Sequence, residues 1–398
     1  MGMRRHRICL VSHLFPYNRH DYKGIFVRDL AVELRRRGHE VHVVTPRRPG
    51  AKKEETLDGV QVHRFQYWGW RQGIQLGHLK GTPILLLGSL IVLGVIKCLV
   101  SIYKYHLDLI HAYWVVPGGF IGSIVGRLTK RPVVATAAGS DLNIAPQRPL
   151  VRLCTSFTLK HLDRLLPVST SMKELALELG LPGGKATVIY GPVGIDTEPL
   201  SQTPRKTSPS RPPARSLVYV GNLTPPRRID TVMQAVREVI GIYPHCHLLI
   251  IGEGDLRPSL EALADELGIS KHVKFCGALA HVEVLRILQS ADIFVHCSDY
   301  EGLGIAIMEA MGASLPVVAS RVGGVADLVE DGETGFTISP DDVEGYAEKI
   351  LLLLKDNQLR ERLGANGHRF ALKYLSRPKI LAQLETVYQE LSMLNKAK

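Results

Sequence analysis

The 398-residue sequence predicts an α/β protein made of two doubly wound domains, each a parallel sheet with helices on both faces. Three observations carry this. Short apolar runs alternate with amphipathic segments of helical period, the pattern of repeated βαβ units. The alternation stops once, at 201–215 (SQTPRKTSPSRPPAR), where four prolines stand among serines and threonines with no long apolar side chain. The length fits two or three domains at roughly 150 residues each.

The elements follow in order. Residues 7–11 form a first buried strand, and a loop through Gly24 leads to a helix over about 27–37. Gly38 closes that helix, and Arg35-Arg36-Arg37 suits the negative end of its dipole. Strands follow at 40–45, 109–112, 133–136 and 165–168. After the break come a strand at 217–220, a helix at 230–240, and strands at 247–251, 273–275, 293–296 and 316–319. The expected domains are therefore 1–200 and 216–374, joined by the linker 201–215, with 375–398 as a terminal helical segment. A ligand is expected at the carboxyl ends of strands, in a cleft between the domains.

One segment resists this scheme. Residues 84–96 hold no charge, and after Lys97 the apolar character runs on to Ile102. Spanning a bilayer takes about 20 such residues. A buried core helix is the plain expectation, and a helix lying in a membrane surface is the sharper one.

Charge divides the chain unevenly. Residues 1–200 carry 27 Lys+Arg and 14 Asp+Glu, a balance of +13, whereas 201–398 carry 22 and 24, a balance of −2. A basic half points to an anionic partner: nucleic acid, acidic lipid or a phosphorylated substrate. No helix-turn-helix, RNP or zinc-finger pattern accompanies the basic runs, so nucleic acid is not expected. Six cysteines, never closer than 21 residues, make no metal or disulfide framework and suggest a reducing cytoplasm.

The strongest site candidate is 299–312 (DYEGLGIAIMEAMG), which follows an apolar strand and opens a helix. Gly302 and Gly304 let the backbone approach a ligand, and helix N-terminal amides suit an anion. Glu301 stands at that edge, and Glu309, about two turns on, can grip vicinal hydroxyls of a ribose or sugar. Glu309 as a solvated helix residue is the plainer alternative. The loop at 252–257 (GEGDLR) lacks the third glycine of a dinucleotide fingerprint.

With its continuation, residues 310–320 (AMGASLPVVAS), Gly323-Gly324, Asp327 and 331–336 (DGETGF), this segment resembles the Glu-(x)7-Glu signature of glycosyltransferase family 4. These are retaining, nucleotide-sugar-dependent enzymes of the GT-B fold, and the resemblance covers nearly the whole chain. It implies that Glu309 holds the ribose and that Glu301 lies near the donor sugar and diphosphate, with Gly302, Leu303 and Gly304 contacting the sugar. The family's Gly-x-Leu-x-x-x-Lys-Gly motif falls on Gly221, Asn222, Leu223 and onward to Arg227 and Arg228. Arg227 replaces the phosphate-binding lysine, keeping the charge in a broader, more rigid fork. Gly24 would approach the donor phosphates. His111, Tyr113 and Trp114 resemble the family's His-Ala-His stretch and would bind the acceptor together with Ser140 and Asp141; core aromatics are an equal alternative, and for Asp141 so are orienting the loop and capping a helix that begins near Asn143.

The family usually places histidine where Ala138 stands, arginine at Asn222 and glycine at Arg228. These departures motivate an alternative to the transferase, a catalytically silent sugar-nucleotide-binding scaffold; a GT-B epimerase is a third reading. The resemblance further implies no required metal or other cofactor, a departing phosphate that deprotonates the acceptor, and a terminal helix that returns to the first domain. The positive charge then lies on the acceptor side, so the expected partners are a glycan or lipid-linked acceptor and an anionic membrane surface at the cytoplasmic face.

Overall fold

A computed structural model describes residues 5–18, 21, 24–68, 84–143, 148–191, 193–197 and 216–396. The expected linker 201–215 lies outside the described residues. The chain forms two compact units, Met1–Val193 with Ile380–Lys398, and Gly194–Lys379.

The first unit is a seven-stranded sheet of β1 (Arg7–Val11), β2 (Glu40–Pro46), β3 (Glu54–Leu57), β4 (Val60–Phe65), β5 (Leu109–Tyr113), β6 (Val133–Ala137) and β7 (Arg164–Pro167). Its order is β3-β4-β2-β1-β5-β6-β7. The central strands are buried on both faces, which is why RICLV and LIHAY read as almost unbroken apolar runs. One departure from an all-parallel sheet appears: β3 pairs antiparallel with β4 at the edge. Asp58 (φ 50°) and Gly59 (φ 80°) make the tight turn between them, the left-handed pair that a two-residue hairpin needs.

The Ile25–Arg36 helix buries Val27, Leu30, Ala31 and Leu34. The terminal helix, Arg377–Lys396, joins the same core through Ile380, Leu384, Val387, Tyr388 and Leu391. Its buried Glu385 accepts hydrogen bonds from Arg37 (2.8 Å) and His39 (3.1 Å), so the arginine run closing the first helix also anchors the last one. The uncharged segment becomes the helix Ile84–Tyr105, long and apolar enough by composition to cross a membrane. It packs on β1, β2 and β4 through one side only.

The second unit is a six-stranded parallel sheet of β8 (Ser216–Val220), β9 (His247–Ile251), β10 (Val273–Gly277), β11 (Ile293–His296), β12 (Val317–Ser320) and β13 (Gly335–Ile338). Its order is β10-β9-β8-β11-β12-β13. In both units the winding reverses beside the first strand, between β1 and β5 and between β8 and β11. Crevices that hold ligands form at the carboxyl ends of such strands.

Candidate functional site

The loop after β8 carries Arg227 and the loop after β11 carries Glu301, so both stand at the second unit's switch point. Backbone bonds hold the two loops in register. Arg227 bridges Ser298, the Arg228 N–H donates to Cys297 O (3.1 Å), and the Asp299 N–H donates to Pro226 O (3.0 Å). Gly324 N–H donates to the Glu301 carbonyl (3.0 Å). Gly323, at φ 48°, lies so close that a Cβ would sit 2.0 Å from that oxygen, which excludes a side chain at this position.

The side chains converge on one carboxylate. Arg227 donates to Glu301 Oε2, and His296 Nε2 lies 3.1 Å from the same oxygen. Burial alone would raise the Glu301 carboxyl, but the His296 hydrogen bond and the Arg227 charge outweigh it and hold it down at about 2. Burial lowers His296, so its ring is neutral near pH 7. An ionised Glu301 only accepts, so Nε2 carries the proton. His296 Nδ1 is buried and finds no partner among the described residues.

The sequence reasoning did not single out His296. Its signal was a lone polar residue ending the apolar run Ile293-Phe294-Val295.

The other donor-site candidates lie on neighbouring elements of the second unit. Glu309, on the Ile305–Gly312 helix, meets His281 Nε2 at 2.7 Å. Gly302, Leu303 and Gly304 are buried at that helix's start, with Gly304 left-handed at φ 95°. Gly221 and Leu223 donate backbone hydrogen bonds to Ile251 O and Glu253 O, and Asn222 is exposed. Arg228 is otherwise engaged: its guanidinium reaches Asp341 (2.7 Å), Asp299 (3.1 Å) and Asp230 (3.5 Å). Among the described residues no group of three or more His, Cys, Asp or Glu side chains is placed to hold a metal ion.

In the first unit the candidates are built inward. His111 is buried, with Nδ1 2.6 Å from the Tyr388 hydroxyl and Nε2 2.8 Å from Thr136 Oγ1, leaving neither ring nitrogen for an acceptor. Burial pulls it down to about 3. Tyr113 is 2% exposed and Trp114 8%. Asp141 is buried as well, and its two oxygens accept the backbone N–H groups of Val115 (2.8 Å) and Gly139 (2.9 Å). It thus ties the chain leaving β5 to the chain leaving β6, inside the short helix Ser140–Asn143 that contains the Ser140 backbone.

Gly24 begins the Ile25–Arg36 helix at φ 78°, where a Cβ would lie 2.7 Å from Leu14 O. Its neighbour Lys23 lies outside the described residues. His13, against Trp114 at 4.2 Å between ring centers, is lowered to about 3 by burial.

Two doubly wound sheets, the second carrying an acid and its cation at the switch point, fit a nucleotide-sugar-dependent glycosyltransferase of the GT-B type, and comparison with known proteins gives that class. Residues 24–192 match the glycosyl transferase 4-like domain and residues 202–370 match the glycosyl transferases group 1, and the chain belongs to glycosyltransferase family 4. The N-acetyl-alpha-D-glucosaminyl L-malate synthase of Bacillus anthracis is 23% identical over 92% of this chain and 93% of its own length. Among solved structures, sucrose-phosphate synthase from Thermosynechococcus elongatus superposes with a TM-score of 0.73 at 22% identity, covering 97% of this chain and 99% of that one. HepE from Anabaena, solved with UDP and glucose, gives 0.72 at 20% identity, covering 97% and 100%.

Proposed function

We propose that the protein transfers a hexosyl unit from a nucleotide-diphosphate sugar to an acceptor hydroxyl with retention of anomeric configuration, in cell-surface polysaccharide or glycolipid synthesis. The observation that carries this reading is the Arg227–Glu301 pair at the β8/β11 switch point. Arg227 neutralises the departing diphosphate, Glu301 orients the donor sugar, and Glu309 takes the ribose hydroxyls. The bond from the anomeric carbon to the diphosphate breaks, and a bond to the acceptor oxygen forms on the same face. The acceptor's proton passes to the leaving phosphate oxygen, which removes the need for a separate base.

Because Arg227 supplies the charge, we propose that no metal is required. The UDP and glucose bound to HepE favour a UDP-linked hexose. The six free cysteines fit a reducing cytoplasm, and the basic first unit fits work at an anionic inner membrane face on a glycan or lipid-linked acceptor.

Thermal-shift measurement against UDP-, GDP- and ADP-sugars in chelator is the test. Stabilisation by one of them supports the donor site, and stabilisation by none overturns it. Engagement of Arg228 by three carboxylates favours a second reading, a silent sugar-nucleotide-binding subunit. Donor binding with neither hydrolysis nor transfer across an acceptor panel would select that reading.

A further inference from the structure

The Ile84–Tyr105 helix has two apolar sides, and the described residues cover only one. Leu90, Gly94, Cys98, Ser101 and Ile102 are buried against the first sheet. Leu85, Val92, Ile96, Val100 and Tyr103 are between 49% and 69% exposed. At about 100° per residue these five fall within roughly an 80° arc, opposite the buried set. The exposed side is therefore a continuous stripe along the helix.

The stripe extends sideways. The Phe120–Thr129 helix packs beside this one, and the Pro149–His161 helix packs beside that, with Phe120 against Phe157 at 5.3 Å. They add exposed Leu128, Leu150 and Leu153. Trp68, 70% exposed, is held beside the first helix by its backbone N–H donating to Ser89 Oγ at 3.0 Å. An amphipathic indole next to an apolar stripe is the usual furniture of a membrane–water boundary.

Charge selects the occupant. Residues 84–131 and 148–161 carry eight Lys or Arg and one acid, Asp108. That acid accepts the Arg7 backbone N–H at 3.0 Å, and Lys97 is paired with Glu54. Lys104, Arg127, Lys130, Arg152 and Lys160 are exposed on the same three helices or at their ends. A second copy of the chain would set these cations against themselves. A spanning helix would have to abandon its buried side.

We propose that this three-helix face docks on an anionic lipid bilayer, its apolar stripe seated at the acyl boundary and its cations against lipid phosphates. The proposal deepens the reading of a lipid-linked acceptor by naming the surface that meets the lipid, and it involves no donor chemistry.

The test is co-sedimentation of the full chain with phosphatidylcholine vesicles, with and without phosphatidylglycerol, in the absence of donor. Retention is expected only with phosphatidylglycerol and should fall as salt rises. Arg127→Gln with Arg152→Gln should weaken it by about fivefold per charge removed. Ile96→Glu should abolish it. Nucleotide-induced thermal stabilisation should persist in all these variants, showing that they fold.

Retention indifferent to lipid charge and to these substitutions overturns the proposal. So does release by detergent alone, which means a spanning helix, or an Ile96→Glu change that alters oligomeric state but not retention, which means a second copy. Retention without turnover overturns only the transferase reading. Turnover on a soluble acceptor without retention overturns only this one.

Discussion

The two units place polar side chains on or just after central strands of their sheets and use them in opposite ways. At the carboxyl ends of β8 and β11, the Arg227 and Glu301 side chains keep 22% and 11% exposure, so the charges are formed yet reachable. Within β5 and just after β6, His111 and Asp141 are sealed and fully bonded by their own chain. Central strands of a doubly wound sheet can therefore carry polar groups for chemistry or for architecture. What separates the two is whether the protein has already saturated the polar atoms.

Acid should expose this difference most strongly. In the first unit burial holds His13 and His111 down at about 3 and lowers His63 too. The His13 and His111 rings are neutral when folded and protonate near 6.5 when unfolded. Their stabilisation is complete above pH 6.5 and is lost as pH falls toward 3, by about 1.4 kcal/mol per unit per ring. At pH 5, His13 and His111 alone cost about 4 kcal/mol on that basis.

Asp141, raised by burial, has the opposite sign and partly offsets them. The second unit holds one such ring, His296, and Glu301, whose stabilisation survives until pH falls below about 4.5 and is lost toward 2. Calorimetry with hydrogen exchange should show the first unit melting earlier at pH 5 than at pH 7, with the second little changed. Equal loss in both units would break the comparison.

Glu301→Gln comes next. It keeps the shape but removes the charge that Arg227 and His296 organise, so the main loss should be in donor turnover, about 10²–10³-fold, beside a fall in melting temperature from the broken ion pair. An unchanged rate would place the chemistry elsewhere. Asp141→Ala should do the reverse. It leaves the buried N–H groups of Val115 and Gly139 unpaired, at about 1–3 kcal/mol each, while nucleotide binding persists. A loss of nucleotide affinity without a loss of stability would make Asp141 a ligand-binding residue after all.

Legibility in the sequence followed the same division. The central strands were readable because both faces are buried, which leaves an apolar run with no period to misjudge. The β3–β4 hairpin was not, because its edge strand carries Glu54 and Glu55 and alternates exposure, although Asp58-Gly59 marked the turn. Glu301 was legible from the glycine-rich loop that opens a helix.

The partners of that acid were not legible. Arg227 meets Glu301 across 74 residues, and Arg228 meets Asp341 across 113, so no local pattern shows which cation is free to act. His111 fits the motif by residue type, but its burial depends on Tyr388, 277 residues later.

His296 offers the smallest effect and the sharpest reading. Its neutral ring, stacked on Tyr219 at 5.8 Å and 4°, donates to Glu301 and is the largest influence lowering that carboxyl. His296→Leu should reduce donor kcat/KM only about fivefold, the size of one modest hydrogen bond. If the ring positions the carboxylate electrostatically, the acid limb of the pH–rate profile must also move up, because Glu301 then titrates closer to its ordinary range. A matching fall in rate with an unmoved acid limb would mean that the ring merely fills space against Tyr219. In that case Arg227 alone would keep Glu301 ionised, and the second unit's site would reduce to a single ion pair.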